Sequence, residues 1–180
     1  MNLGALCHIL EEARKLSGLT DFVVIGSLSI LGLEADFDVP KDMTMSNDVD
    51  CYTRDDPDRI FELLGALGEH SPYHLKSGIY LDAAGPHLAT LPEGWEGRLL
   101  QVKRDALRAW FLEPNDAAVS KYARGEPRDT GWIRAGIRAG VVSLPLVQAR
   151  MRSTTFIDAE EQQRAKALVE ADRVWAKGLR

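Results

Sequence analysis

The stretch Ser46-Asn47-Asp48-Val49-Asp50-Cys51-Tyr52 alternates polar and apolar side chains from Asp48 onward, the pattern of a strand with one buried face. Side chains two positions apart on a strand share a face. Asp48 and Asp50 therefore point the same way, with Cα atoms about 6.6 Å apart, while Val49 and Cys51 point into a core. Two carboxylates on one face repel each other unless a cation lies between them. Their hard oxygen atoms suit Mg²⁺, which keeps several waters and often shares the phosphates of a substrate.

Upstream, Phe22-Val23-Val24-Ile25 is a continuous apolar run that reads as a buried strand. Gly26-Ser27 follows, and Leu28 to Leu33 reads as a short helix. A glycine at such a turn admits close backbone approach, a helix N-terminus presents amides to an anion, and the Ser27 hydroxyl adds a donor. The same dipeptide also suits a plain strand-to-helix turn with a serine cap, so it gains weight only beside the aspartates. Residues 34–46 are acidic, contain Pro40 and show no period, and are expected to form a loop. Downstream, Asp56-Pro57 opens a helix with proline at its first position, with Ile60, Phe61, Leu64 and Leu67 as the apolar face. Gly78 to Ala83 reads as a strand with Ile79 and Leu81 on one face and Tyr80 and Asp82 on the other. Asp82 is thus a third carboxylate. Three carboxylates converging on two metals would clamp an in-line phosphoryl displacement and activate an acceptor hydroxyl.

Around this centre, residues 2–16 read as an amphipathic helix ended by Gly18. Residues 84–97 are rich in glycine and proline and read as a loop, followed by strands at Leu99–Val102 and Ala109–Leu112. Asn115 or Asp116 is expected to cap a helix running to Arg124. Pro127 starts another that ends near Gly140, Ser143 precedes a short one, and Asp158 with Glu161 makes a capping-box-like start for the last. The expected fold class is α/β (α+β), a small mixed sheet flanked by helices with a helical C-terminal part. Residues 1–113 are expected to be the core, with 114–180 a helical region packed on it as one compact unit.

The composition fits this reading. The 180 residues are 45% apolar and 27% charged, ordinary for a globular chain and wrong for a disordered one. No apolar run approaches the roughly 20 residues that span a bilayer, so no membrane partner is expected. The N-terminal segment lacks a basic start followed by an apolar stretch, so a secretory signal is not expected. Cys7 and Cys51 suggest core packing rather than a disulfide framework, and a reducing cytoplasm is the expected location. The net charge is −5, but residues 1–119 hold 10 basic and 20 acidic side chains, and residues 120–180 hold 12 and 7. An acidic front suits metal and a basic back suits phosphate, although two solvated helix faces give the same count. The net acidity argues against broad non-specific nucleic-acid binding, which is driven by counterion release to a basic surface. Gly26 begins neither a Gly-x-Gly-x-x-Gly nor a Walker pattern, and zinc is not expected without a Cys-x-x-Cys. Pro72 lies between His70 and His74 and spoils a helical metal pair, and Trp95 and Trp132 suit packing better than base stacking.

Ile25-Gly26-Ser27 followed by Asp48-Val49-Asp50 resembles the signature of the nucleotidyltransferase (DNA polymerase β-like) superfamily. More closely, the stretches Val24 to Gly32, Ser46 to Tyr52, Gly78 to Asp82 and Leu91 to Leu99 resemble a bacterial branch of uncharacterised nucleotidyltransferase-like proteins. Leu112-Glu113-Pro114-Asn115-Asp116-Ala117-Ala118-Val119-Ser120-Lys121 is similar to the helical region of AbiEii-type toxins, which transfer nucleotides in type IV toxin–antitoxin systems. The likeness spans roughly residues 20–140. It departs from the common pattern in the 20-residue spacer between Ser27 and Asp48, and in Tyr122-Ala123-Arg124 after Lys121.

The resemblance implies a Mg²⁺-dependent, two-metal transferase that moves a nucleotidyl group from an NTP to a hydroxyl acceptor. The acceptor would be RNA, protein or a small molecule, with tRNA and a cognate antitoxin suggested by the toxin relatives alone. Carried over residue by residue, Gly26 and Ser27 would bind the triphosphate, and Asp48, Asp50 and Asp82 would hold the metals. Asp82 would also be the candidate base. Lys121 would reach the phosphates and Asp129 would position it. Lys121 and Arg124, three apart, share a helix face in support of that role. The residues also allow a nucleotide- or protein-binding module without turnover, such as one half of a toxin–antitoxin or regulatory pair, and a metal-dependent hydrolase using the same carboxylates.

Overall fold

A computed structural model describes residues 1–33 and 37–179 of the chain. Positions 34–36 of the expected loop lie outside the described residues. The chain divides into two compact units, Met1–Leu88 with Leu99–Leu112 and Ala89–Arg98 with Glu113–Arg180. No helix among the described residues is long and apolar enough to cross a membrane.

The first unit holds a five-stranded mixed sheet. Its strands are β1 (Asp21–Val24), β2 (Asp48–Thr53), β3 (Tyr80–Ala83), β4 (Leu100–Arg104) and β5 (Leu107–Phe111), in the spatial order β3-β2-β1-β5-β4. β1 occupies the centre, antiparallel to β2 and parallel to β5. Phe22, Val23 and Val24 are all fully buried, as a continuous apolar run at a sheet centre requires. β3 lies parallel to β2, and β4 closes the other edge antiparallel to β5.

α1 (Leu3–Ser17) packs against β5 and buries Leu6, Ile9, Leu10 and Ala13. Asn2 caps its N-terminus and Gly18, in the left-handed region, ends it. Three segments, two expected as helix and one within an expected loop, differ in winding. Ser27–Leu33 and Pro57–Leu63 are 3₁₀ helices, the latter continued by the single turn α2 (Leu64–Leu67), and a further 3₁₀ turn spans Lys41–Met43. Three residues per turn align positions i and i+3. Ile60 and Leu63 are therefore buried, while Phe61, expected on the apolar face, is 57% exposed. Pro72 does not break a helix. It occupies the first turn of α3 (Pro72–Ser77), which Ser71 caps by accepting from the His74 N–H at 3.1 Å.

The second unit is helical: α4 (Pro114–Arg124), α5 (Pro127–Arg138), α6 (Leu144–Met151) and α7 (Ala159–Lys177), with a 3₁₀ turn at Trp95–Arg98. The expected cap of α4 is corrected. Glu113 is the N-cap, and its carboxylate accepts from the N–H groups of Asn115 and Asp116 at 3.0 and 3.2 Å. Asn115 and Asp116 are buried and serve tertiary bonds instead. Asn115 Oδ1 accepts from the Ser143 N–H at 2.7 Å. Asp116 takes both arms of Arg98, at 2.8 and 3.1 Å, and lies 3.0 Å from Arg150. This joins residues 89–98 to the helices. Burial holds the Asp116 carboxyl above the usual carboxylate range, against the pull of Arg98 and Arg150. At the start of α7, Asp158 accepts from the Glu161 N–H at 2.7 Å, and Glu161 accepts in return from the Ile157 N–H at 2.7 Å, one residue before the cap, a close variant of the capping box.

Candidate active site

β2 and β3 build one acidic face. Val49, Cys51 and Leu81 are buried, so the alternation of the strands turns Asp48, Asp50 and Asp82 the other way. The parallel register sets Asp50 beside Asp82 and Asp48 beside Tyr80. One carboxylate oxygen from each of Asp48, Asp50 and Asp82 lies within 4.8 Å of the others. Asp48 and Asp50 are half-buried and Asp82 is exposed, so the cluster is reachable from solvent. The Ser46 hydroxyl donates to Asp48 Oδ1 and orients that carboxylate from the residue two before it.

The Gly26-Ser27 turn sits directly against this face. Its position is fixed by the Ile25 N–H, which donates to the Asp50 carbonyl at 2.9 Å. Gly26 has φ +68, a conformation that side chains rarely adopt. A Cβ there would lie 2.7 Å from Asp50 Cγ. Glycine is thus required twice, by the backbone and by the carboxylate packed on it. Ser27 opens the 3₁₀ helix, and the Ser29 hydroxyl donates back to the Gly26 carbonyl at 2.8 Å.

The crowded charge is felt by its neighbours. Burial raises the Tyr80 hydroxyl above its usual range, and the carboxylates of Asp48, Glu69, Asp82 and Asp50 add to the shift. Burial likewise pushes the Cys51 thiol well up, with Asp50 and Asp82 adding to it, so Cys51 is an inert core thiol.

In the second unit, Lys121 and Asp129 meet as an ion pair at 3.3 Å, both nearly fully buried. Arg124 shares Asp129 at 2.6 and 2.9 Å, so the two cations expected on one helix face do lie together. Burial raises the Asp129 carboxyl, but the bonds and charges of Arg124 and Lys121 outweigh it and leave it below the usual range. Lys121 Nζ also stands 4.8 Å from the centre of the Trp132 ring, which places Trp132 in the interior.

The family model described as nucleotidyltransferase of unknown function matches residues 4–178. The chain belongs to this family. No curated protein matches it and no solved structure does. In this chain the three carboxylates offer hard oxygen donors, close together and open to solvent, a set that fits a divalent cation such as Mg²⁺. Sequence reasoning did not anticipate the roles of Ser46 or His74. Ser46 carries no signal beyond its place two residues before Asp48. His74 is four residues after His70, but it is drawn toward β3 by tertiary structure, with its ring 4.6 Å from that of Tyr80.

Proposed function

We propose that the chain is a Mg²⁺-dependent enzyme that transfers a nucleotidyl group from an NTP to a hydroxyl. The reading rests chiefly on one arrangement: Asp48, Asp50 and Asp82 within 4.8 Å of one another in a member of a nucleotidyltransferase family. Asp48 and Asp50 would hold the metal, with Asp82 completing the set. Bound Mg²⁺ supplies neutralisation of phosphate charge and acidifies an acceptor hydroxyl.

The chain's own residues do the rest. The backbone at Gly26 and the Ser27 hydroxyl bind the triphosphate. Asp82, the exposed carboxylate, takes the proton of the acceptor hydroxyl. The acceptor oxygen bonds to the α-phosphorus as the α–β phosphoanhydride bond breaks and pyrophosphate leaves. Lys121, held by Asp129, is proposed as a phosphate-binding cation on the strength of the resemblance to the toxins. An RNA or protein acceptor, a cognate antitoxin and a cytoplasmic setting belong to the same proposal.

The test is transfer of label from each α-labelled NTP, with Mg²⁺, to total cellular RNA and protein. Wild type is run beside the Asp48→Ala, Asp50→Ala double variant. Labelling by wild type alone supports the transferase, and the labelled band gives the acceptor class. Mg²⁺-dependent NTP binding without transfer would mark a binding module instead. Nucleoside monophosphate released to water, with no acceptor labelled, would mark a hydrolase.

A further inference from the structure

Tyr80 is the residue of β3 that stands beside Asp48, and Asp82 stands beside Asp50. The four side chains therefore share one face of the sheet, with an aromatic ring next to the carboxylates. The His74 ring lies 4.6 Å from the Tyr80 ring, tilted by 51°. Its orientation is held from its own segment. The His70 N–H donates to His74 Nδ1 at 2.9 Å. His70 adopts φ +63 in making that bond, an unusual conformation for a residue other than glycine. Both Tyr80 and His74 are half-buried, so the pair is anchored without being enclosed. A hydrophobic core explains neither the left-handed backbone at His70 nor the placement of two partly open rings along an acidic edge.

We propose that Tyr80 and His74 form an aromatic wall that stacks a nucleobase whose phosphates or terminal hydroxyl lie beside the Mg²⁺ that Asp48, Asp50 and Asp82 would hold. The inference rests on the nucleotidyltransferase reading above and deepens it by assigning a base-binding element to that site. Stacking suits every base, because each presents a π-face, and it is strong enough to govern affinity. The stacked base belongs either to the donor NTP or to the 3′-end of an RNA acceptor.

The experiment titrates the full chain, with Mg²⁺, against each of the four NTPs, inorganic tripolyphosphate and a short single-stranded RNA. Wild type is compared with Tyr80→Ala and Tyr80→Phe. Tyr80→Ala is expected to weaken an NTP or the RNA by about tenfold or more while tripolyphosphate changes less than about twofold, and Tyr80→Phe to stay near wild type. Loss on an NTP assigns the base to the donor, and loss on RNA alone assigns it to the acceptor. Unchanged binding of NTP and RNA by Tyr80→Ala overturns the inference, as does an equal loss for NTP and tripolyphosphate. Should Tyr80→Ala unfold, His74→Ala, in a helix without buried side chains, carries the same comparison. If wild type binds neither NTP nor tripolyphosphate, the transferase reading falls together with the wall. If wild type binds both and the variants bind alike, the wall alone falls.

Discussion

Gly26 lies directly on the Asp50 carboxylate: a Cβ at position 26 would stand 2.7 Å from Asp50 Cγ and 3.0 Å from Asp50 Cβ. The turn after β1 and the acidic face of β2 are thereby one structural unit, tied further by the Ile25 N–H on the Asp50 carbonyl. Any side chain at position 26 must move Asp50 or move the turn.

Gly26→Ala is therefore expected to damage the site more than the fold. The positive φ costs about 1–2 kcal/mol for a side chain, and relief of the clash displaces Asp50 from Asp48 and Asp82. Melting measured with and without Mg²⁺ and NTP checks this, because ligand binding to the folded state raises the melting temperature by mass action. The variant should fold yet lose the ligand-dependent rise. A rise equal to that of wild type would show that the contact does not position Asp50.

Asp48→Asn and Asp50→Asn should each lower transfer by on the order of 10³-fold, since several kcal/mol of charge stabilisation is removed. The folded apo protein should be as stable as wild type or slightly more so, because each change relieves repulsion among three carboxylates within 4.8 Å. Parallel urea titrations and activity assays separate the two effects. A variant transferring at the wild-type rate would sink the metal-binding assignment.

Asp129→Asn leaves two cations, Lys121 and Arg124, facing a neutral amide in a site where Asp129 and Lys121 are nearly fully buried. Breaking a buried pair from one side costs about 3–5 kcal/mol. Lys121→Met should cost less, since it preserves the apolar stem and Asp129 retains Arg124. Equal destabilisation of the two variants would contradict this balance. The proposed phosphate role adds a separate outcome: Lys121→Met should weaken NTP binding more than Mg²⁺ binding, whereas equal losses would make Lys121 purely structural.

Stability should also respond to acid through Asp21. The bond from Arg108, with further donors from Thr20 and Trp110, outweighs burial and lowers the Asp21 carboxyl from 3.8 to about 2. A folded-state value below the unfolded one favours folding above the unfolded pKa, and that stabilisation is lost as pH falls toward about 2. Asp21→Asn should therefore unfold more readily than wild type at pH 6, and the difference should shrink from pH 4 to pH 2. Added salt should narrow it too, because Arg108 is about half exposed. A difference that stays constant across this range would remove Asp21 as its source.

Much of the first unit was legible in local pattern. The apolar run at 22–25, the alternation at 48–52, and the shared face of Tyr80 and Asp82 are statements about period, and the strands appear where those periods place them. The errors are equally instructive. Asn115 and Asp116 have the chemistry of caps, yet Glu113 caps α4 because Arg98, Arg150 and Ser143 claim the other two side chains from distant positions. Phe61 fails as a core residue because its segment winds with three residues per turn rather than 3.6.

By itself, the sequence determined the strands of the acidic face and the long helices, the face that each aspartate takes on its strand, and the glycine–serine turn after a buried strand, because these depend on neighbours two to four residues away. Only the tertiary structure decided that β3 lies parallel to β2 with Asp82 beside Asp50, that Gly26 packs on the Asp50 carboxylate, and that His74 meets Tyr80. Strand order and register are settled by burial of whole faces against partners far along the chain, and no local period carries that information.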